Sequence, residues 1–322
     1  MIEEIKKLPK IELHLHLDGS ISLELASILS GLSYEEVKVK MVAPDKCENL
    51  SDYLTRFDFP ISLMQTKENL RLVAEDLVNR LVSQNVVYAE VRFAPMFHTR
   101  EGLSYEEIVE SVLSGLKTNS NIKVNLILCM MRGMSKEDNF RTIEVAEKYL
   151  NKGVCAIDLA GAEDKYPLDD YLELFEIVKE KGIPFTIHAG ENGGADEVAK
   201  AIKVGATRIG HGIHSIQSKE VLDLIKEKNV LLEICPTSNV QTNAIGYYHE
   251  HPIWSLYKQG ILVCVNTDNS TVSNISISNE YVKLNNNFNF TLYDYKNMNI
   301  SAVKSSFISL EEKEDLINKY FS

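Results

Sequence analysis

Short runs rich in Val, Ile and Leu recur along the chain. Each is followed by polar turn residues and then by a longer stretch whose apolar positions fall at helical spacing. Eight such runs are present, at residues 11–17, 86–93, 124–131, 154–159, 184–188, 208–211, 230–235 and 261–266. Their hydrophobicity is continuous rather than alternating, as in parallel strands covered on both faces. Between them the spacing predicts helices over 105–117, 136–151, 168–181, 195–204 and 218–228, the last opening on a serine cap at Ser218. Strand to helix to strand, eight times over, predicts an α/β fold of the (β/α)8 TIM-barrel type. Residues 23–66 are too many for a plain strand-to-helix connection and are expected to form a helical lid over one face. An asparagine-rich patch at 285–289 marks a helix end or loop, and the tail after Asn279 is expected to be helical and to close the barrel's rim or base. No repeat, proline-rich hinge or low-complexity tract divides residues 1–322, so a single domain is expected.

A barrel of this kind makes a demand on the polar residues: they should gather at the C-terminal ends of the strands. His14 and His16 close the first run, Gly161 follows the fourth, His188 ends the fifth, His211 the sixth, and Asp268 follows the eighth. His14 and His16 are two apart and therefore share a strand face. Two imidazoles side by side in a barrel lumen are costly unless a metal or hydrogen-bond partners satisfy them. Together with His188 and Asp268 they make an N3O donor set suited to Zn2+, with Fe2+, Co2+ and Mn2+ also compatible by ligand type. Such an ion lowers the pKa of a bound water toward ~7. Glu191, three residues past His188, is placed to act as a proton donor once burial raises its pKa. His211, between Gly210 and Gly212, is placed to hold or to deprotonate that water.

The chain has 322 residues, with 34 Lys and Arg against 46 Asp and Glu, a formal charge of −12. No basic stripe stands out, which excludes general nucleic-acid or membrane-surface binding and leaves small neutral or cationic partners. Neither an apolar N-terminal stretch nor a run of ~18 apolar residues occurs, so a cytoplasmic location is expected. Cys47, Cys129, Cys155, Cys235 and Cys264 have no short spacing and read as reduced, buried small hydrophobes. The absence of CxxC removes zinc ribbons, thioredoxin-like chemistry and the zinc deaminases that use a PCxxC pattern. Gly190, Gly193 and Gly194 lack dinucleotide-fingerprint spacing, and HExxH is absent.

The motifs His14-Leu-His16-Leu-Asp18-Gly19, Ile157-Asp-Leu-Ala-Gly161, His188-Ala-Gly-Glu191, Ile209-Gly-His211-Gly212, Cys235-Pro-Thr-Ser-Asn239 and Asn266-Thr-Asp268 occur in this order. Jointly they resemble the adenosine deaminase family of the metal-dependent amidohydrolases, over nearly the whole chain. The resemblance implies hydrolytic deamination of adenosine and 2′-deoxyadenosine to inosine and ammonia. It implies one Zn2+ per chain held by His14, His16, His188 and Asp268, with His16 also among the substrate contacts. Glu191 would protonate purine N1, and His211 with Asp268 would orient the hydroxide that attacks C6. The Gly161 N–H would donate to N3, Asp18 would bind the ribose 5′-hydroxyl, and Tyr53, Leu54 and Phe57 would form an apolar gate. Free-base deaminases of this kind carry Glu at the Asp18 position and AMP-specific ones lack the Asp-Gly pair, so the expected partner is a purine nucleoside. Glu90 and Arg92 are expected to serve as an interior ion pair. The departure is Asn269-Ser270, where the family has Asp-Pro with the Asp on purine N7. An amide NH2 donates to an acceptor at any pH, so Asn269 is expected to keep that contact with altered affinity or pH dependence. The alternative is a modified purine nucleoside or free adenine as substrate.

Overall fold

The computed structural model describes residues 2–322. Eight strands follow one another: β1 (Lys10–His16), β2 (Val86–Phe93), β3 (Lys123–Met131), β4 (Val154–Ala160), β5 (Ile187–Ala189), β6 (Arg208–His211), β7 (Leu231–Ile234) and β8 (Leu262–Val265). β1 to β4 pair in sequence order, as do β5 to β8, all in parallel. Two bridges close the ring. Ile157 meets Phe185, with Ile157 N–H donating to Pro184 O at 2.9 Å and Thr186 N–H to Ile157 O at 3.0 Å. Leu15 meets Asp268, with His16 N–H donating to Asp268 O at 2.7 Å and Asp268 N–H to His14 O at 3.0 Å. The architecture is the expected (β/α)8 barrel. β5 is shorter than residues 184–188 because Pro184 has no N–H for a ladder, and Phe185 keeps a single bridge.

The helices Lys67–Ser83, Tyr105–Leu116, Lys136–Tyr149, Leu172–Glu180, Ala195–Val204 and Lys219–Lys228 follow the strands. Ser218 caps the last of them, its Oγ accepting from Val221 N–H at 3.3 Å. Residues 23–66 fold into four helices, Leu23–Ser30, Tyr34–Met41, Leu50–Leu54 and Asp58–Leu63. Helices Ile277–Asn287, Leu292–Ser305 and Leu310–Tyr320 make up the tail, the first ending inside the asparagine patch. The tail closes the base. Ala302, Val303 and Phe321 pack with Ile11, Val87 and Leu231 from the strand starts. Phe307 lies over the Arg208 guanidinium at 4.1 Å and gives its N–H to Glu90 Oε1 at 2.7 Å. The five cysteines are free and buried. Among the described residues, no helix is long and apolar enough to cross a membrane.

β1 does not alternate throughout. Glu12 pairs with Ala89 and Leu15 with Val91, so Leu13 and His14 together oppose Glu90. This is a β-bulge. Asn266 Oδ1 stitches it by accepting Leu13 N–H at 2.9 Å and His14 N–H at 3.2 Å. The bulge puts Glu12 outside the lumen, against Leu77 and Leu81 of the helix Lys67–Ser83, while His14 faces inward. Glu12 Oε1 accepts from Thr267 N–H at 2.8 Å, its Oε2 is buried without a partner, and burial pushes the carboxyl up to about 8.

That carboxyl carries a prediction. Its folded pKa lies above the unfolded ~4.3, so its stabilising contribution is complete at low pH and is lost as pH rises through about 8. Glu12→Gln keeps an acceptor for Thr267 and cannot ionise. Its stability relative to the parent should therefore grow between pH 5 and pH 9, by about 1–3 kcal/mol. Thermal melts at the two pH values measure this, and a pH-independent difference would contradict it.

Candidate metal centre and active site

His14, His16, His188 and Asp268 each bring one ligand atom into a group whose members all lie within 4.8 Å of one another. His14 Nε2 and His16 Nε2 stand 3.3 and 3.4 Å from Asp268 Oδ1. The opposite face of two of the rings is anchored by carboxylates: His14 Nδ1 lies 2.9 Å from Glu233 Oε2 and His188 Nδ1 2.9 Å from Asp158 Oδ2. Arg92 donates to both carboxylates, at 2.8 Å to Glu233 and 2.9 Å to Asp158, and Arg208 holds Glu233 at 2.6 Å. With each Nδ1 turned toward a carboxylate, the other edges of the two rings are left facing the group. Gly210 makes room for them, since a Cβ there would come within 3.0 Å of the His14 ring. His14 Nε2 is buried with no hydrogen-bond partner. An orphaned imidazole nitrogen amid imidazole and carboxylate donors fits a divalent cation with N/O preference.

A second, overlapping group consists of His14, His211, Cys235 and Asp268. Of its two histidines, His14 is shared with the first group, and His211 has its Nδ1 committed elsewhere. His251 Nδ1 accepts from Ile253 N–H at 3.1 Å, so its Nε2 carries the hydrogen and donates to Asn239 Oδ1 at 3.1 Å. The Asn239 NH2 therefore faces His211 Nδ1, at 3.0 Å, and donates to it. Burial holds His251 down to about 3, and burial with the neighbouring imidazoles holds His211 well below its ordinary value, so both rings are neutral. His211 accordingly presents Nε2–H, a donor, to the site. Of the two roles open to it from sequence, this tautomer suits holding a water rather than deprotonating it. Burial also keeps the Cys235 thiol protonated, well above its usual range.

Glu191 Oε2 lies 3.6 Å from His211 Nε2, and Thr242 Oγ1 donates to its Oε1 at 3.3 Å. Burial, followed by the charges of Asp268 and Glu163, pushes this carboxyl well above its ordinary range. Asp268 is held the other way, its Oδ2 accepting from Ser238 Oγ at 2.6 Å and the imidazoles keeping it ionised. A cavity of about 260 Å³ opens above these groups. It is lined by every other expected site residue, Asp18, Tyr53, Leu54, Phe57, Gly161 and Asn269 among them, whereas His14 lies beneath. Tyr53, Leu54 and Phe57 belong to a small apolar cluster of the lid with Val272, and Tyr53 OH is tied to Ser273 Oγ at 2.7 Å. Burial pushes Asp18 up to about 6. Asn269 packs against Gly19 with its Oδ1 buried and unpartnered, and Ser270 N–H donates to Ser20 Oγ at 3.0 Å.

Glu90 and Arg92 are interior, but they are not each other's partners: Glu90 pairs with Arg208, and Arg92 with Asp158 and Glu233. β2 sets both on one face, two residues apart, and each reaches across the lumen to a different strand. Asp158, Glu163, Glu233, Ser238 and Asn239 are site groups that the strand-end pattern does not single out. Four of them lie in or beside quoted motifs, while Glu233, an acid inside an apolar run, was visible only as a charge out of place.

A (β/α)8 barrel with this donor group at its strand ends defines an amidohydrolase of the metal-dependent class. The chain belongs to the adenosine deaminase family, which it matches over residues 9–321. It is 44% identical over 323 residues to an adenosine deaminase of Clostridium botulinum, covering 97% of this chain and 96% of that one. Among solved structures it resembles an N6-mAMP deaminase of Arabidopsis, with a TM-score of 0.88, 27% identity and 99% of each chain covered. It also resembles an adenine deaminase of Arthrobacter aurescens, with a TM-score of 0.87, 25% identity and 97% and 98% covered.

The hydrogen-bond relay predicts the outcome of Asn239→Asp. A carboxylate accepts from both histidines, so the His211 proton should move to Nδ1 and an acceptor should face the cavity. 15N NMR of His211 should report the exchanged tautomer or an imidazolium, and turnover should fall by about 10–100-fold. An unchanged His211 spectrum would remove the relay.

Proposed function

We propose that the chain hydrolytically deaminates adenosine and 2′-deoxyadenosine to inosine and ammonia, as a purine-salvage enzyme whose residues 1–322 work as one catalytic domain. What carries this reading is a single cavity in which a protonated carboxyl, Glu191, faces the His14, His16, His188 and Asp268 group while Asp18 lines the same space. The ion we assign to that group is Zn2+, and when bound it supplies a nucleophile by lowering the pKa of water toward ~7. Glu191, whose protonated form burial favours, donates its proton to purine N1, which breaks the aromaticity of the ring and opens C6 to addition. His211 Nε2–H steadies the oxygen that enters at C6. Asp268, ionised and held by Ser238, accepts the proton that this oxygen sheds. The 6-amino group takes up that proton from Asp268 and leaves as ammonia, and the other proton of the attacking water restores Glu191. Gly161 N–H meets N3, and the Asn269 NH2 meets N7 with no protonation of its own. Tyr53, Leu54 and Phe57 cover the ribose and keep bulk water out. The five free, buried cysteines are in keeping with a reducing cytoplasmic setting.

Asp18 also separates substrates. A ribose 5′-hydroxyl can donate to it, whereas a 5′-phosphate would set like charges together. A second reading, a modified purine nucleoside or free adenine, draws on Asn269: its unpartnered Oδ1 could instead accept from a donor that adenosine lacks.

Ammonia release from a panel of adenine, adenosine, 2′-deoxyadenosine, AMP and N6-methylated adenosines decides between them. Adenosine and 2′-deoxyadenosine should be turned over, with adenine and AMP lower by about 100-fold or more in kcat/KM for the missing or clashing contact. Asn269→Asp should change kcat/KM on adenosine by less than about tenfold, and a gain of several orders of magnitude would favour the second reading.

Two variants test the machinery. Glu191→Gln should retain the metal and lose about 10²–10⁴ of kcat, while His16→Ala should lose metal and activity together. Elemental analysis beside turnover reads both, and full activity in Glu191→Gln would refute its role as proton donor.

A further inference from the structure

We propose that Glu163 is the positioning residue for Glu191, gripping the backbone of the loop after β5 so that the acid's side chain is aimed into the cavity. The inference rests on the reading of Glu191 as proton donor. Glu163 stands in the loop after β4, with only 4% of its surface exposed. Its carboxylate collects four consecutive amides of the neighbouring loop: Gly190 N–H donates to Oε1 at 2.6 Å, and Glu191, Asn192 and Gly193 N–H donate to Oε2 at 3.0, 3.2 and 3.0 Å. Successive N–H groups converging on one anion form a nest, and bonds to a charged acceptor are the strong ones. The fit is close enough to exclude a side chain at 193, where a Cβ would lie 2.5 Å from Glu163 Oε1.

Glu191 needs such a hold. Its own carboxyl is restrained by one long hydrogen bond from Thr242 and by His211 at 3.6 Å. Its direction is therefore set mainly by where the chain places its Cα, and Glu163 fixes that peptide and the ones on either side. The contact pattern also explains why the residue is an acid. Four donors call for two oxygen acceptors. The amide of a glutamine would offer one and turn its NH2 toward N–H groups.

A double-mutant cycle tests the assignment. Glu163→Gln should lower kcat by about 10–100-fold while KM stays within about threefold and metal content is unchanged. In a Glu191→Gln background the same change should cost less than about threefold, because its effect passes through the missing acid. Wild-type kcat in Glu163→Gln, or an equal loss in both backgrounds, would overturn the proposal. If Glu163→Gln fails to fold by circular dichroism, the cycle runs with Glu163→Asp, which keeps the charge and shortens the reach by one methylene; the same loss, again confined to the Glu191 background, is expected. Failure of the underlying reading looks different, since Glu191→Gln alone would then keep full kcat.

Discussion

At the axis of the barrel two guanidinium groups and three carboxylates are buried together with no access to water. Arg92 joins Asp158 to Glu233, and Arg208 joins Glu233 to Glu90. Burying so much charge gives little net stability, because the desolvation of each ion offsets most of its attraction to its partners. What the network supplies is direction. Asp158 and Glu233 each face one imidazole nitrogen at 2.9 Å while a guanidinium holds the carboxylate still, so two ring orientations are set from below. The bulge in β1 belongs to the same device: the Leu13 carbonyl that it turns inward accepts from Arg92 at 2.5 Å. Removing Arg92 would take the guanidinium from Asp158 and the 2.5 Å donor from the Leu13 carbonyl, and removing Arg208 would take the guanidinium from Glu90.

The rim is held by a different means. His211 and Asp268 both sit in the left-handed region, at φ 62° and 61°, which is strained for residues with a side chain. Each is over-determined by its surroundings. Asp268 is caught between two backbone bonds to β1 and the Ser238 hydroxyl, and the peptide that seals the barrel seam is thus the one that carries a member of the candidate metal group. His211 is pinned by Asn239, and the following N–H, of Gly212, donates to Ala189 O at 3.0 Å. Strain at these two residues is sustained because the seam and the relay leave no alternative path for the chain.

Much of this arrangement is visible in the chain itself, and the reasons are local. Eight apolar runs and their intervening helical periods mark the barrel, and the positions of His14, His16, His188, His211 and Asp268 at run ends mark its working face. The bulge is not legible, because it depends on Asn266 reaching back over 250 positions to Leu13 and His14. The partners of Glu90 and Arg92 are hidden for the same reason, since residues two apart on a strand look like a pair until the lumen offers each a nearer opposite charge. Helices Ile2–Lys7, Pro236–Gln241 and Ile253–Lys258 are too short to establish a period. Asn239 appears in a recognised motif, yet its work is defined by which atom of His251 faces it.

The exchange at Asn269-Ser270 follows the same logic of charge in a closed space. Asp18, Glu191 and Asp268 already line one cavity, and a fourth carboxyl there would have to be neutralised before it could donate to a purine acceptor. Asparagine donates without that step and adds no negative charge. Ser270, where the family resemblance implies proline, has a backbone N–H, and Ser20 Oγ satisfies it. Under the proposed function, recognition at N7 would thereby be uncoupled from pH. In the proposed reaction the protonation state of the cavity would bear on turnover through Glu191 and on ribose binding through Asp18, the two carboxyls that burial has shifted upward.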